Sequence, residues 1–200
     1  MLRPIRKGFG EVRGLTDRYQ DIVGLTPWER VALAQRMAMS FASDAPMRVV
    51  AGTVCRTCRN IPREAPMRIA RYVRNKIRYG QENPGVEVLQ GPYHTLRYRV
   101  ADCDDAALLW TVLCRALGMQ AFFAGVGEIG SPYLIHAVGC IADTGELFEL
   151  VRDKQYRGFE DGPVFRLPDY AYVVIYDPAE DGPEGSGTYH VLERGNWRIA

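Results

Sequence analysis

Residues 103–117 read as a helix that is apolar around most of its circumference. Ala107, Leu108, Trp110, Thr111, Leu113, Cys114 and Leu117 leave it almost no polar face, and such a helix has to sit in the middle of its fold. Asp102 is placed to cap its first turn and Gly118 to end it. The helix opens on a cysteine flanked by carboxylates, in Asp102-Cys103-Asp104-Asp105, after an extended segment. A first helical turn offers free N–H groups and a partial positive charge, which favour a thiolate and can hold an oxyanion. The three aspartates act in the opposite sense unless they cap the turn or face solvent. A histidine follows on a predicted strand, in Leu134-Ile135-His136-Ala137-Val138. A protonated His136 close to Cys103 would add to the thiolate's stability, and together the two would make an activated nucleophile.

The flanking segments predict an order of helices first and strands later. Thr26-Pro27-Trp28-Glu29 has the form of a capping box with proline in the first turn, and the helix it starts is expected to reach Phe41 or Ala42. Residues 1–25 read as an irregular arm. Met47–Cys55, short and partly β-branched, reads as a strand or a buried loop. Arg63–Tyr79 reads as an amphipathic helix with Met67, Ala70, Val73 and Ile77 inward, Gly80–Gly85 as a turn, and Val86–Leu89 as a brief extended piece broken by Gly91-Pro92. Strands are expected at Ala121–Val126, Tyr133–Ala142, Leu147–Val151, Tyr170–Tyr176 and Tyr189–Leu192, with a hairpin turn at Asp143–Glu146. This pattern predicts an α+β fold in which the central Cys103 helix packs on an antiparallel sheet. The expected division is an N-terminal arm and helix over 1–62, available for docking, and a catalytic-type domain over 63–200.

Bulk properties exclude several classes. No apolar run approaches the roughly 20 residues of a membrane span, and the basic start Met1–Lys7 is not followed by the apolar stretch of a secretory leader. A cytoplasmic or virion-associated protein with five free thiols is the expectation. The first 100 residues hold 18 of the 25 Lys and Arg and 8 of the 24 Asp and Glu, so the two halves carry +10 and −9. A basic half can meet nucleic acid, but the Arg-rich helix at 63–79 lacks the interleaved aromatics of such surfaces, and nucleic acid is not expected as a partner. Cys55-Arg56-Thr57-Cys58 is a C-x-x-C without a second cysteine or histidine pair, so no closed zinc site is expected; redox pairing of the two remains open. No phosphate loop or dinucleotide fingerprint occurs, and no cofactor or metal is expected. Cys114 and Cys140 read as packed, His94 as a loop residue and His190 as a strand-surface residue.

The words "Asp-Cys-Asp-Asp-Ala-Ala-Leu-Leu" at 102–109, "Leu-Gly-Met-Gln-Ala-Phe-Phe" at 117–123 and "His-Ala-Val" at 136–138 resemble the transglutaminase-like superfamily of papain-type cysteine enzymes. "Ile-Arg-Tyr" at 77–79 followed by "Gly-Val-Glu-Val-Leu-Gln-Gly-Pro-Tyr-His-Thr-Leu" at 85–96 is most similar to the small versions carried by tailed bacteriophages. The resemblance extends over about residues 63–160. It implies acyl transfer on an amide of a peptide or protein, by hydrolysis or by cross-linking to an amine, with Cys103 as nucleophile, His136 as proton carrier and an acid orienting His136. It also leaves open an inactive virion structural or assembly protein with other virion proteins as partners. The family's usual "Trp…Leu-Asp-Pro" word is absent here. Three acids compete for that place. Glu149 sits across a hairpin from the His136 strand and precedes Gly158-Phe159, Asp153 shares its strand face, and Asp177 stands in an "Asp-Pro" word. Ala101 replaces the glycine usual before the Asp-Cys pair. Gln90 is a further candidate, as an oxyanion donor.

Overall fold

In the computed structural model, which describes residues 19–80, 88–127, 133–151, 172–177 and 188–193, the capping box is formed at both of its hydrogen bonds. Glu29 N–H donates to Thr26 Oγ1 at 3.2 Å, and Thr26 N–H donates to the Glu29 carboxylate at 2.8 Å. Helix α1 follows over Pro27–Ala42. Val31, Ala34, Met37, Ala38 and Phe41 enter the core, and Ala32, Leu33 and Gln35 are buried too, so α1 is covered beyond a single stripe.

Residues 45–54 correct the strand or loop expected there. They form helix α2 (Ala45–Val54), with Asp44 at its N-cap position and proline in its first turn. Pro46 thus both stops the preceding helix and starts the next, because its missing N–H costs nothing in a first turn. The β-branched Val49, Val50 and Thr53 suggested an extended chain, yet Val49 is 68% exposed and only Met47 and Ala51, four apart, are buried. Tertiary contact along one helical stripe overrides local propensity here. Helix α3 (Ile61–Lys76) is capped by Asn60, whose Oδ1 accepts from Arg63 N–H at 3.2 Å, and it buries Ala65, Ile69, Ala70 and Val73.

A short strand, β1 (Tyr19–Asp21), precedes α1, and after α3 the chain runs through β2 (Arg78–Tyr79), β3 (Val88–Gln90), α4 (Pro92–Tyr98), β4 (Val100–Ala101) and α5 (Cys103–Ala116). Helix α4 was not expected from the sequence, where Gly91-Pro92 read as a break. Pro92 is instead its first residue, and His94 lies on this helix rather than on a loop. Strand β1 pairs with β3, and β2 pairs in parallel with β4. The second pairing guides the chain into α5. Arg78 N–H donates to Arg99 O at 2.8 Å and Gly80 N–H to Ala101 O at 3.0 Å.

Strands β5 (Ala121–Gly127), β6 (Leu134–Ile141), β7 (Glu146–Phe148), β8 (Tyr172–Asp177) and β9 (Thr188–Glu193) form an antiparallel sheet in the order β7-β6-β5-β8-β9. The α+β class and the central helix on an antiparallel sheet are as expected. One face packs on α1 and α5 through Ala121, Phe123, Ala137, Ile141 and Val174. The other carries a second buried cluster of Phe122, Ala124, Val126, Val138, Cys140 and Ile175. Trp110 of α5 locks helix to sheet: its ring stacks on Phe148 at 4.9 Å, and its Nε1–H donates to Pro66 O of α3 at 3.0 Å. Gly139 lies directly under the ring, where a Cβ would stand 2.2 Å from a ring carbon.

Gln35 ties α1 to the sheet. Strand β8 pairs with β5 over Ala124–Gly127. Ahead of that stretch, the wholly buried Gln35 accepts from Phe123 N–H at 2.8 Å and donates to Ala121 O at 3.4 Å. A buried side-chain amide thus continues a backbone ladder, meeting groups that are costly to leave unpaired.

Candidate active site

Cys103 is the first residue of α5, and its position is fixed by three polar ties around it. Asp102, at the N-cap, accepts from Asp105 N–H at 3.3 Å. The buried Asp105 carboxylate accepts from Gln90 N–H at 2.6 Å, which fastens the first turn of α5 to β3. The Gln90 side chain donates to Thr95 Oγ1 at 2.8 Å and to Val100 O at 2.9 Å. Gln90 is the residue expected from the sequence as an oxyanion donor. Its two amide hydrogens are spent on holding α4 and β4 together, and it is not among the described residues lining the cavity beside Cys103.

His136 reaches that cavity because β6 breaks its alternation. One step on β5, Val126 to Gly127, faces two on β6, His136 to Leu134. Leu134 and Ala137, three apart, therefore line the cavity together with His136. An extra residue of this kind re-aims neighbouring side chains. His136 Nε2 lies 2.9 Å from Glu149 Oε2, with both residues buried. Glu149 Oε1 accepts from Leu150 N–H at 2.8 Å and Val151 N–H at 2.9 Å. Strand β7 places it there: Phe148 pairs with Gly139, so the following residue stands diagonally across from His136. A carboxylate that accepts at Nε2 fixes the hydrogen of a neutral imidazole on that nitrogen and makes Nδ1 the basic one.

Cys103 and His136 line one cavity of about 310 Å³. The Ala137 backbone N–H lies close enough to the Cys103 sulfur to favour its thiolate, so the thiol abuts the residue next to His136. The opposite wall comes from Ile22 and from α1, through Pro27, Arg30 and Val31. Gly125 lies on its floor, where a Cβ would stand 2.5 Å from Leu134.

The electrostatics differ from the sequence expectation of a thiolate-favouring turn. Burial pushes the Cys103 thiol well above its ordinary range, Asp104 and Asp102 push the same way, and the Ala137 N–H only partly opposes them. Asp104 is itself raised well above the carboxyl range by burial and by its hydrogen bond to Asp102. The surroundings of Cys103 therefore favour the thiol over the thiolate. The carboxylates of Asp102, Asp104 and Asp105 lie within 4.8 Å of one another, a set that could hold a cation, though that of Asp105 already accepts from Gln90.

Of the other candidate acids, Asp177 is described, and it lies elsewhere. Asp177 ends β8, which runs toward the Ala121 end of β5, whereas His136 pairs with Val126 at the opposite end. Its charge acts on Arg115 near the end of α5. Asp153 lies outside the described residues. Cys114 and Cys140 are fully buried, as expected. Arg30, Val31 and Ile22 were not singled out by sequence; the capping box places α1, but no local signal says that it faces Cys103.

Residues 48–127 match the transglutaminase-like superfamily model. The match spans α2 to β5 and includes Cys103, but ends before His136 and Glu149. It begins ahead of residue 63, where the resemblance was expected to start. No curated protein matches the sequence. A solved structure described as a "Putative Cysteine Protease from Cytophaga hutchinsonii" is similar at 20% identity and a TM-score of 0.42, over 56% of this chain. The chain spans 40% of that protein's length, and a likeness of this extent assigns no activity. Neither match is to a bacteriophage protein. Among the described residues, no helix is long and apolar enough to cross a membrane.

Proposed function

We propose that this protein is a cysteine-dependent acyl-transfer enzyme acting on an amide, with Cys103 as nucleophile, His136 as general base and acid, and Glu149 as the residue that orients His136. The observation that carries the reading is the hydrogen-bonded chain itself. Two backbone N–H groups hold Glu149, Glu149 holds His136 Nε2, and His136 shares a cavity wall with Cys103. The transglutaminase-like match over the Cys103 segment supports the same class.

The steps follow from the resting thiol. As the Cys103 sulfur bonds to the amide carbonyl carbon, its proton passes to His136 Nδ1, and negative charge develops on the carbonyl oxygen. The N–H groups opening α5 are the donors placed for that oxygen. Collapse breaks the C–N bond, the leaving amine takes the proton from Nδ1, and a thioester remains on Cys103. Water or a second amine then attacks the thioester carbon and gives its proton to Nδ1, and the thiol is restored. Because the thiol is not ionised at rest, His136 has to act during attack, and general base catalysis of this kind contributes about 10²–10⁴-fold.

The test uses a small activated acyl donor, 4-nitrophenyl acetate. Peptide mapping is expected to find an acetyl thioester on Cys103 that hydroxylamine removes, and its rate of formation should fall at least about 100-fold in His136→Ala. Acetylation spread evenly over the five cysteines, or a Cys103 rate indifferent to His136→Ala, overturns the proposal. Glutamine-containing peptides offered with and without a primary amine then separate hydrolysis from cross-linking.

A further inference from the structure

A second pair of sulfur atoms lies outside the cavity, where α2 ends. Cys55 is the residue at which the helix stops; its N–H still donates to Ala51 O at 3.0 Å. Cys58 N–H donates to Cys55 O at 2.9 Å. A turn closed by such an i to i+3 bond brings its end Cα atoms within about 7 Å, and a disulfide spans about 4.4–6.8 Å between Cα atoms. The side chains follow the backbone, for Cys58 lies close enough to act on the Cys55 thiol. Cys55 is buried, at 3% exposure, and Cys58 is half-buried. Arg68, on α3, lies close enough for its charge to favour a thiolate at Cys55.

We propose that Cys55 and Cys58 form a thiol–disulfide exchange site, which reacts with a low-molecular-weight disulfide to close a Cys55–Cys58 bond in the folded protein. The more accessible Cys58 thiolate attacks one sulfur of the small disulfide and a mixed disulfide forms, releasing one small thiolate. Cys55 then attacks the Cys58 sulfur and expels the second small thiolate, which takes the Cys55 proton. Two protein thiols are oxidised and one small disulfide is reduced to two small thiols.

The surroundings set the order and the outcome. Burial and the neighbouring Cys58 push the Cys55 thiol up to about 12, and the negative end of α2 acts in the same sense. Cys55 is therefore the poor first attacker and the resolving thiol, beside its target once Cys58 is modified. Because Cys55 gains little as a thiolate, its ionisation does not stabilise the reduced form, and the closed disulfide is favoured relative to pairs whose thiolate is stabilised. The site is separate from the Cys103 cavity and does not rest on the proposed activity.

The test is a redox titration of the full chain in oxidised and reduced glutathione. Samples are quenched with acid, alkylated under denaturing conditions and mapped after trypsin. Cleavage after Arg56 leaves Cys55 and Cys58 in separate peptides joined only by the disulfide. The expected result is a single step in which alkylated thiols fall from five to three, with that linked peptide as the product. Cys55→Ser should stop at a glutathione adduct on Cys58. Five alkylated thiols at every ratio, a wild-type adduct on Cys58 that never closes, or a link from Cys55 to Cys114 overturns the proposal.

Discussion

The second half of α5 and its first turn are built on opposite terms. Around Trp110 the helix meets the sheet through a dry stack: the ring lies on Phe148, Gly139 gives it room, and its one polar atom is matched by Pro66 O. Around Cys103 the same helix carries a thiol and three carboxylates that lie within 4.8 Å of one another. Shape decides the first region, and removing atoms there costs stability. Charge decides the second, where the native arrangement is electrostatically expensive and removing charge should help the fold. Regions that break the local rules for stability are where function is expected.

Trp110→Ala gives the largest effect. The ring is fully buried, and truncations of this kind cost about 3–5 kcal/mol; the deleted Nε1–H also leaves Pro66 O without its donor. Urea unfolding is expected to show that loss in the midpoint. A loss below about 1 kcal/mol would mean that the core end is not set by shape.

Glu149→Gln is intermediate and probes the cavity end. The amide keeps the size but removes the charge, and its carbonyl can face only one side of the old network. Either His136 Nε2 or the Leu150 and Val151 N–H groups meet an NH₂ donor. A buried donor left unpaired costs about 1–3 kcal/mol. Acetylation of Cys103 should fall by about 10-fold or more, because an imidazole free to turn, or to take the other tautomer, no longer presents Nδ1 as its base. An unchanged rate would remove Glu149 from the orienting role while leaving Cys103 and His136 in theirs.

These two ends were not equally legible in the sequence. The all-round apolar surface of residues 107–117 required a central helix, and the Thr26 capping box required α1, because both signals are local. Glu149 was reachable too, since a hairpin turn at Asp143–Glu146 puts it across from the His136 strand. Helices α2 and α4 were missed where proline was read as a terminator though each helix carries it in its first turn. The Cys103 environment was misjudged because burial cannot be read from a sequence. A helix N-terminus in water favours a thiolate, but here α1 and Ile22 wall it in from more than 70 residues away. Gln90 shows the same limit: its residue type fits a donor, but the partners that use up its hydrogens, Thr95 and Val100, are fixed by tertiary structure.

Asp104→Asn should have the smallest effect, and its sign separates the two regions. In the folded protein Asp104 holds its proton well above the ordinary carboxyl range, chiefly through burial and then through Asp102. An acid whose folded pKa is raised binds more protons folded than unfolded. Its cost to the fold is therefore absent below the unfolded value near 3.8 and grows as pH rises toward the folded one. Asparagine can keep the hydrogen bond to Asp102 without that cost. Its variant should match the wild type at pH 3.5 and melt higher at pH 8, each 1 kcal/mol relieved being worth roughly 2–4 °C at this chain length. The same change removes the largest single charge acting against a Cys103 thiolate, so the thiol should also alkylate faster with iodoacetamide at pH 8. A variant less stable at pH 8 than at pH 3.5, relative to wild type, would mean that Asp104 serves the fold as Trp110 does, and the contrast between the two ends of α5 would fail.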